Sequence, residues 1–316
     1  MGKYTVTAGQ SIYDIALHLY GSIEGITDLL ISNPALSLED TLRSGQELVY
    51  SDDFEIDSDV VAWYRNNGIK PSGGEHSVYP KEFTLPLLAE IRMEASHTGA
   101  ALTLAGLGEL EIDWGDNSPA QHVLLSGEQT VVGHTFDNTV AAARRIRLFG
   151  DPVLQMLDLT GMHPTAVFLF RRLHTERFTL ENARLDLSFM SLLADVRMID
   201  LDGTVTGSLL PLLPCKSLMS LGLNTEALNQ ATIDHYLIAL VEQYYGRRNC
   251  MICLLVEPSG EYREPLRDET GRYILTSGME AVWVLTHEES WNEADVWRIV
   301  ICGRTYSYQQ ESRISI

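Results

Sequence analysis

A short apolar segment recurs at a nearly constant interval in the second half of the chain. Two apolar residues flank one other residue in each copy, and the copies are 21, 21 and 22 residues apart: Leu157-Asp158-Leu159, Phe178-Thr179-Leu180, Ile199-Asp200-Leu201 and Leu221-Gly222-Leu223. In an extended strand, adjacent side chains point to opposite faces. We therefore predict that the apolar residues are buried on consecutive parallel strands and that the middle residues face outward.

The first 51 residues change from alternating to helical patterning and back. Tyr4-Thr5-Val6 predicts a strand, and Ser11 followed by Asp14 predicts a capped helix. A second short helix ends before Asn33-Pro34, because proline disfavours helical geometry in the residue before it. The stretch 47–50 then alternates again. The predicted order is β-α-α-β.

The rest of the chain divides by pattern into four parts. Residues 52–79 read as a linker with one helix that Ser58 or Asp59 caps and that Gly68 and Pro71 end. Residues 80–151 read as all-β, with strands at 83–87, 102–104, 110–114 and 145–149. Residues 152–256 contain the recurring segments. Residues 257–316 break the interval, and we predict that they cap the end of the repeats.

Composition narrows the functions that are open to the chain. A net charge of −20 over 316 residues argues against nucleic acids and anionic membrane surfaces as partners. No apolar run is long enough to cross a bilayer, and no secretory signal is visible, so we expect synthesis in the cytoplasm. Cys250 and Cys253 lie on one predicted strand and face opposite ways, which favours a structural role.

Motifs of known catalytic chemistry are missing from the sequence. There is no nucleophile elbow, zinc-protease helix or P-loop, and Gly106-Leu107-Gly108 begins a dinucleotide fingerprint that Glu111 then breaks. Asp113 and Asp116 are too few for a calcium site. We expect no catalytic residue, no metal and no cofactor. A glycan hydrolase stays open as a second alternative, because its two acids need only be close in space.

The N-terminal pattern resembles the LysM module. The residues that carry this resemblance are 4–12, Ile15-Ala16, Asn33-Pro34, Leu42, 44–46 and Leu48-Val49, and Gln10 stands where the family usually has Asp. The resemblance implies recognition of an N-acetylglucosamine polymer such as peptidoglycan, or use of the same fold for docking in an assembly. It places the ligand between two loops, at Gly9, Gln10, Ser11, Ile12, Asn33, Pro34, Ala35 and Leu36.

Two further resemblances complete the predicted architecture. Residues 112–116, followed by His134-Thr135-Phe136, resemble polycystic-kidney-disease-type β-sandwich domains, which are spacers. The recurring segments resemble leucine-rich repeats. The predicted fold class is therefore multidomain α+β: a LysM-like domain at 1–51, a helical linker at 52–79, a β-sandwich at 80–151, a leucine-rich-repeat solenoid at 152–256 and a C-terminal cap at 257–316.

These elements together predict a non-enzymatic binding or structural protein. The combination is similar to modular Bacteroidetes proteins, and the helix with Trp63 and Tyr64 resembles a segment of their prophage tail proteins. A phage particle is therefore one expected setting, and an exported cell-surface adhesion protein is the alternative. The repeats would contact a protein partner that is basic where it docks, through an acidic outward face formed by Asp158, Thr179, Glu181, Asp200 and Asp202.

Overall fold

The protein is described by a computed structural model that covers residues 1–72, 81–116, 118–136, 143–243, 250–292 and 296–308. The chain forms two compact units, 1–80 and 81–316. Each unit has a hydrophobic core of its own.

The first unit has the predicted β-α-α-β order. Strands β1 (Gly2–Thr5) and β2 (Glu47–Tyr50) pair antiparallel, and the helices α1 (Ile12–Tyr20) and α2 (Ile26–Ser32) lie between them in sequence. The predicted cap on α1 is confirmed, because the Ser11 side chain accepts from the Asp14 backbone while Asp14 accepts from the Ser11 backbone. The core of this unit is formed by Tyr4, Val6, Ile12, Ile15, Ala16, Tyr20, Leu29 and Leu48.

A third helix, α3 (Ser58–Asn67), follows in the same unit. It is capped by Asp57 and not by the predicted Ser58 or Asp59, and it ends as predicted at Gly68 in the left-handed conformation (φ 62°). Val61 is its buried residue.

The second unit is built on a single mixed sheet of 14 strands. The sheet's antiparallel part contains β3 (Leu87–Met93), β4 (Gly99–Asp113), β5 (Gln121–Ser126), β6 (Thr130–Thr135), β7 (Arg144–Gly150) and β9 (Pro164–Leu169). Its parallel part contains β8 (Val153–Asp158), β10 (Leu173–Thr179), β11 (Leu193–Ala194), β12 (Met198–Asp200), β13 (Ser220–Leu223), β14 (Met251–Leu254) and β17 (Arg298–Ile301), and the antiparallel β18 (Arg304–Ser307) pairs with β17.

Two helices and a hairpin complete this unit. Helix α4 (Gln230–Glu242) packs against α5 (Gly278–His287). The small hairpin of β15 (Leu266–Arg267) and β16 (Tyr273–Ile274) forms a separate two-stranded sheet.

The predicted parallel stacking of the recurring segments is confirmed. β8, β10, β12 and β13 are neighbours in parallel register, so Leu157, Phe178, Ile199 and Leu221 lie side by side and all four are buried. The ladder continues through β14 and β17, beyond the segments that define the interval.

The predicted fold class, however, is wrong. The protein is mostly β, and the residues assigned to a separate β-sandwich, a leucine-rich-repeat solenoid and a cap all contribute strands to the 14-stranded sheet. The reason is β4, which pairs with β8 through residues 103–107 and with β7 through residues 110–113. The turn at Pro152 therefore joins two strands of one sheet. The predicted domain boundaries, at 51, 79, 151 and 256, stay predictions.

β4 also explains how the sheet changes direction. The predicted strands 102–104 and 110–114 are parts of this one strand, and its pairing with β8 shifts register between Ala105 and Gly106. A Cβ at Gly106 would lie 2.3 Å from the Val153 carbonyl oxygen. Glycine is therefore required where β7 and β8 separate.

An apolar cavity of only about 20 Å³ is lined by residues from both the antiparallel and the parallel part of the sheet, such as Leu104, Leu148 and Leu157.

Candidate binding surfaces

The outward residues of the parallel strands form a continuous row across the ladder. Pairing places these residues next to one another in the order Asp158, Thr179, Asp200, Gly222 and Cys253, and we call them the carboxylate row. All five are partly exposed. Glu181, which is exposed, and Asp202, which is partly exposed, lie two residues after Thr179 and Asp200, just beyond the ends of β10 and β12. All five predicted protein-contact residues therefore lie at or just beyond the same end of neighbouring parallel strands.

Backbone and side-chain amides donate hydrogen bonds to the carboxylates of this region. Asp158 Oδ1 accepts from the Thr160 backbone at 2.8 Å. Asp202 accepts from the Asn224 backbone at 3.0 Å and from the Asn224 side-chain Nδ2 at 2.9 Å. Within the described residues, Asp158, Asp200 and Asp202 form no ion pair with a cationic side chain. Their negative charge is thus uncompensated by the described part of the chain.

Asp200 is the carboxyl group most affected by this crowding. Burial raises its pKa above the ordinary value, and so do the charge of Asp202, a side-chain hydrogen bond with Asp202 and the charge of Asp158, against the hydrogen bond from the Asp202 backbone. The Asp200 and Asp202 Oδ1 atoms each lie 3.1 Å from the position that a Cβ at Gly222 would occupy. Burial and the same two carboxylates raise the pKa of the Cys253 thiol.

A second row runs beside the carboxylate row and was missed in the sequence. Its members lie two residues earlier on each strand, in the order Met156, Arg177, Met198, Ser220, Met251 and Arg298, and we call them the methionine row. Met198 and Met251 are 41% and 38% exposed, and Arg177 Nη2 lies 3.5 Å from Met198 Sδ. The sequence did contain a signal for this row. Positions i and i+2 of a strand share a face, so the residue two positions before each predicted outward residue also faces outward.

The first predicted polymer-binding loop is largely turned inward. Gln10 is buried, and its side chain contacts the Tyr4 hydroxyl, the Thr7 backbone and the Pro71 carbonyl. The Ser11 side chain caps α1, and Ile12 belongs to the core. Gly9 is exposed, so this loop offers mainly its backbone to a ligand.

The second predicted loop is fixed by one side chain. The Asn33 amide donates to the Leu29 and Val49 carbonyls and accepts from the Val49 backbone, which ties the end of α2 to β2. Leu36 packs on the core that contains Ile12, while Pro34 and Ala35 are exposed. Both loops are therefore anchored on one core, with small or apolar residues facing solvent.

No family model matches the chain, and no curated protein or solved structure is significantly similar to it. None of the described helices is long and apolar enough to cross a membrane.

Asp113 and Asp116, which flank Trp114-Gly115, contact basic side chains of the protein itself. Lys81 Nζ and Arg147 Nη2 lie 2.6 and 2.7 Å from the Asp113 carboxylate, and His134 Nε2 lies 2.6 Å from Asp116. Burial raises the pKa of Asp113, but the hydrogen bonds from Lys81 and the Gly115 backbone outweigh it and hold the value below the ordinary range. No group of three metal-ligating side chains is found in the described ranges. These residues stabilise the turn.

Proposed function

We propose that this is a non-enzymatic binding protein that contacts another protein through the outward face of its parallel strands. The observation that carries the proposal is the carboxylate row, in which Asp158 and Asp200 stand in register without a cationic partner in the described residues. Solvated acidic residues are common on surfaces, but here they occupy regular positions on a rigid sheet. Rigid, regularly spaced side chains suit recognition because little conformational freedom is lost on binding.

The negative charge of the carboxylate row predicts a positively charged surface on the partner. Burial, and then repulsion by Asp202 and Asp158, raise the pKa of Asp200, which means that the ionised form of Asp200 is disfavoured. A cationic surface would relieve that repulsion. Association should slow as salt is added, because charge steering is screened beyond a Debye length of about 8–10 Å near physiological ionic strength.

A photo-crosslinking amino acid at Thr179, between Asp158 and Asp200, tests this proposal in cells that encode the protein. We expect a discrete cross-linked species that disappears when Asp158→Lys and Asp200→Lys are added. The matched control carries the cross-linker at exposed Glu269, outside both rows. Absence of any adduct specific to position 179, or an adduct that persists in the lysine variant, would contradict the proposal.

The first unit supports a second binding role. We propose that it binds an N-acetylglucosamine polymer, or docks within an assembly such as a phage tail, through the loops at 9–12 and 33–36. Support comes from their shared anchoring: Ile12 and Leu36 pack on one core, and Gly9, Pro34 and Ala35 stay exposed. A single shallow site without avidity should bind weakly.

Sedimentation of the full chain with insoluble peptidoglycan tests the polymer role. We expect measurable retention that Ala35→Trp reduces, because the ring would cover the exposed loop. Glu24→Trp places the same ring at another exposed position of this unit and should leave retention unchanged. If the native chain stays in the supernatant while a known LysM domain sediments, only the docking role remains.

A further inference from the structure

The face that carries both rows is amphipathic across its width. The methionine row and the carboxylate row lie two residues apart on each strand, which is about 7 Å. Met156 and Asp158 are on β8, and Met198 and Asp200 are on β12, so each of these two strands carries a methionine beside an aspartate. The strand between them, β10, carries Arg177 and Thr179 at the same positions. Methionine and arginine are enriched in protein interfaces, and methionine adapts its shape to an incoming surface.

The spacing of the carboxylates restricts the shape of a complementary segment. Asp158 and Asp200 lie two strands apart in the ladder, which is about 10 Å at the usual strand separation. An extended chain covers that distance in about three residues, and side chains three residues apart point to opposite faces. An α-helix covers it in about seven residues, and side chains seven residues apart point the same way. Of these two conformations, the helix is the one that directs equivalent side chains at both carboxylates.

We infer that the two rows form a docking surface for an amphipathic helix of a partner protein, with a lysine or arginine about every seven residues along one edge and apolar side chains along the other. The cations would lie over Asp158 and Asp200, and the apolar edge would lie over Met198 and Met251. This inference rests on the proposed protein-binding role and adds the chemistry and shape of the partner segment.

The described parts of this chain do not supply such a helix. Among its five described α-helices, α3 contains Arg65 as its single lysine or arginine, and α1, α2, α4 and α5 contain none. No described helix of this chain or of a second copy therefore fits, and we assign the occupant to a partner protein. An anionic membrane, which also attracts basic helices, would be repelled by a chain of net charge −20.

A synthetic helix of about 20 residues, with lysine once per heptad beside a leucine edge, provides the probe. Binding to the full chain is measured by fluorescence anisotropy at physiological salt. We expect Asp158→Asn/Asp200→Asn to weaken binding about five- to tenfold and Met198→Gln/Met251→Gln about threefold. The matched control, Glu261→Gln/Glu269→Gln, removes the same charge from exposed positions outside the rows and should change nothing.

Three results would overturn the inference: no binding of the lysine helix, equal binding of a helix with glutamate in place of lysine, or equal weakening by the control variant. The last would mean that overall charge alone holds the peptide. These failures remain distinct from failure of the proposed function, because the cross-link from position 179 reports any protein contact on this face. An adduct without helix binding leaves protein contact in place and excludes the helical partner.

Discussion

At the scale of single residues, the most informative side chains are those whose polar atoms are buried without a counterpart. His18 on α1 is such a case: its Nδ1 is buried and has no hydrogen-bond partner in the described residues. Its ring lies 5.7 Å from that of Tyr4 and 6.2 Å from that of Tyr64. Burial, then the charges of Lys70 and Arg65, lower the pKa of His18.

His18 should therefore make the first unit sensitive to acid. Because its pKa in the folded unit lies below the unfolded value of about 6.5, the unfolded state binds the proton more readily. Neutral His18 therefore contributes its full stabilisation at pH values above its unfolded-state pKa. The free energy of unfolding falls as the pH drops from there toward the pKa of His18 in the folded unit. Denaturant titrations at pH 7.5 and 5.5 should show this loss. His18→Leu should remove most of it, and an unchanged pH dependence in that variant would assign the effect to another group.

At the scale of elements, the decisive feature is β4 and its glycine bend. Gly106→Ala should strongly destabilise the second unit, by several kcal/mol, because the new Cβ would lie 2.3 Å from the Val153 carbonyl oxygen and 2.8 Å from the Leu154 Cα. Gly207→Ala is the control, since nothing lies within 4 Å of the position that a Cβ would take there. Similar unfolding midpoints for the two variants would show that the sheet bends without needing glycine.

The elements also show how far sequence reasoning reaches. The constant interval predicted the parallel strands and the buried positions of Leu157, Ile199 and Leu221 correctly. Apolar residues that recur at a constant interval in the sequence occupy equivalent buried positions on neighbouring strands. The pairing of β4 could not be predicted. Its two halves alternate like two ordinary short strands, and the choice of β7 and β8 as neighbours depends on contacts far away in sequence.

The candidate sites divide in the same way. Asp158, Thr179 and Asp200 were predicted to be outward neighbours, and the ladder places them so. Gln10 and Asn33 were predicted to face a ligand, but their amides hold the backbone of their own unit together. A loop polar residue reads the same in sequence whether it serves a ligand or the fold, so only the structure separates the two.

At the scale of the whole molecule, two separate cores predict two unfolding transitions. Leu29 is buried in the core of the first unit and Leu201 in that of the second. Leu29→Ala should lower the transition temperature of the first unit only, and Leu201→Ala that of the second only. Each substitution should reduce the free energy of unfolding of its unit by about 2–5 kcal/mol, because a buried leucine side chain is lost. Calorimetry of the full chain and both variants measures this. A single transition that both substitutions shift would show that the units unfold together.

The reversal of direction at β18 has a consequence for self-association. A parallel ladder ends in a strand whose free edge can accept another chain in the same direction, which is the geometry of an open-ended polymer. Here β17 offers Ile299 and Ile301 on such a strand, and β18 covers its edge with an antiparallel strand of four residues that contains Arg304. A chain ending after residue 302 would expose β17. Within the described residues, the edge of the sheet is thus a strand of only four residues with a cationic side chain, which disfavours pairing with another chain.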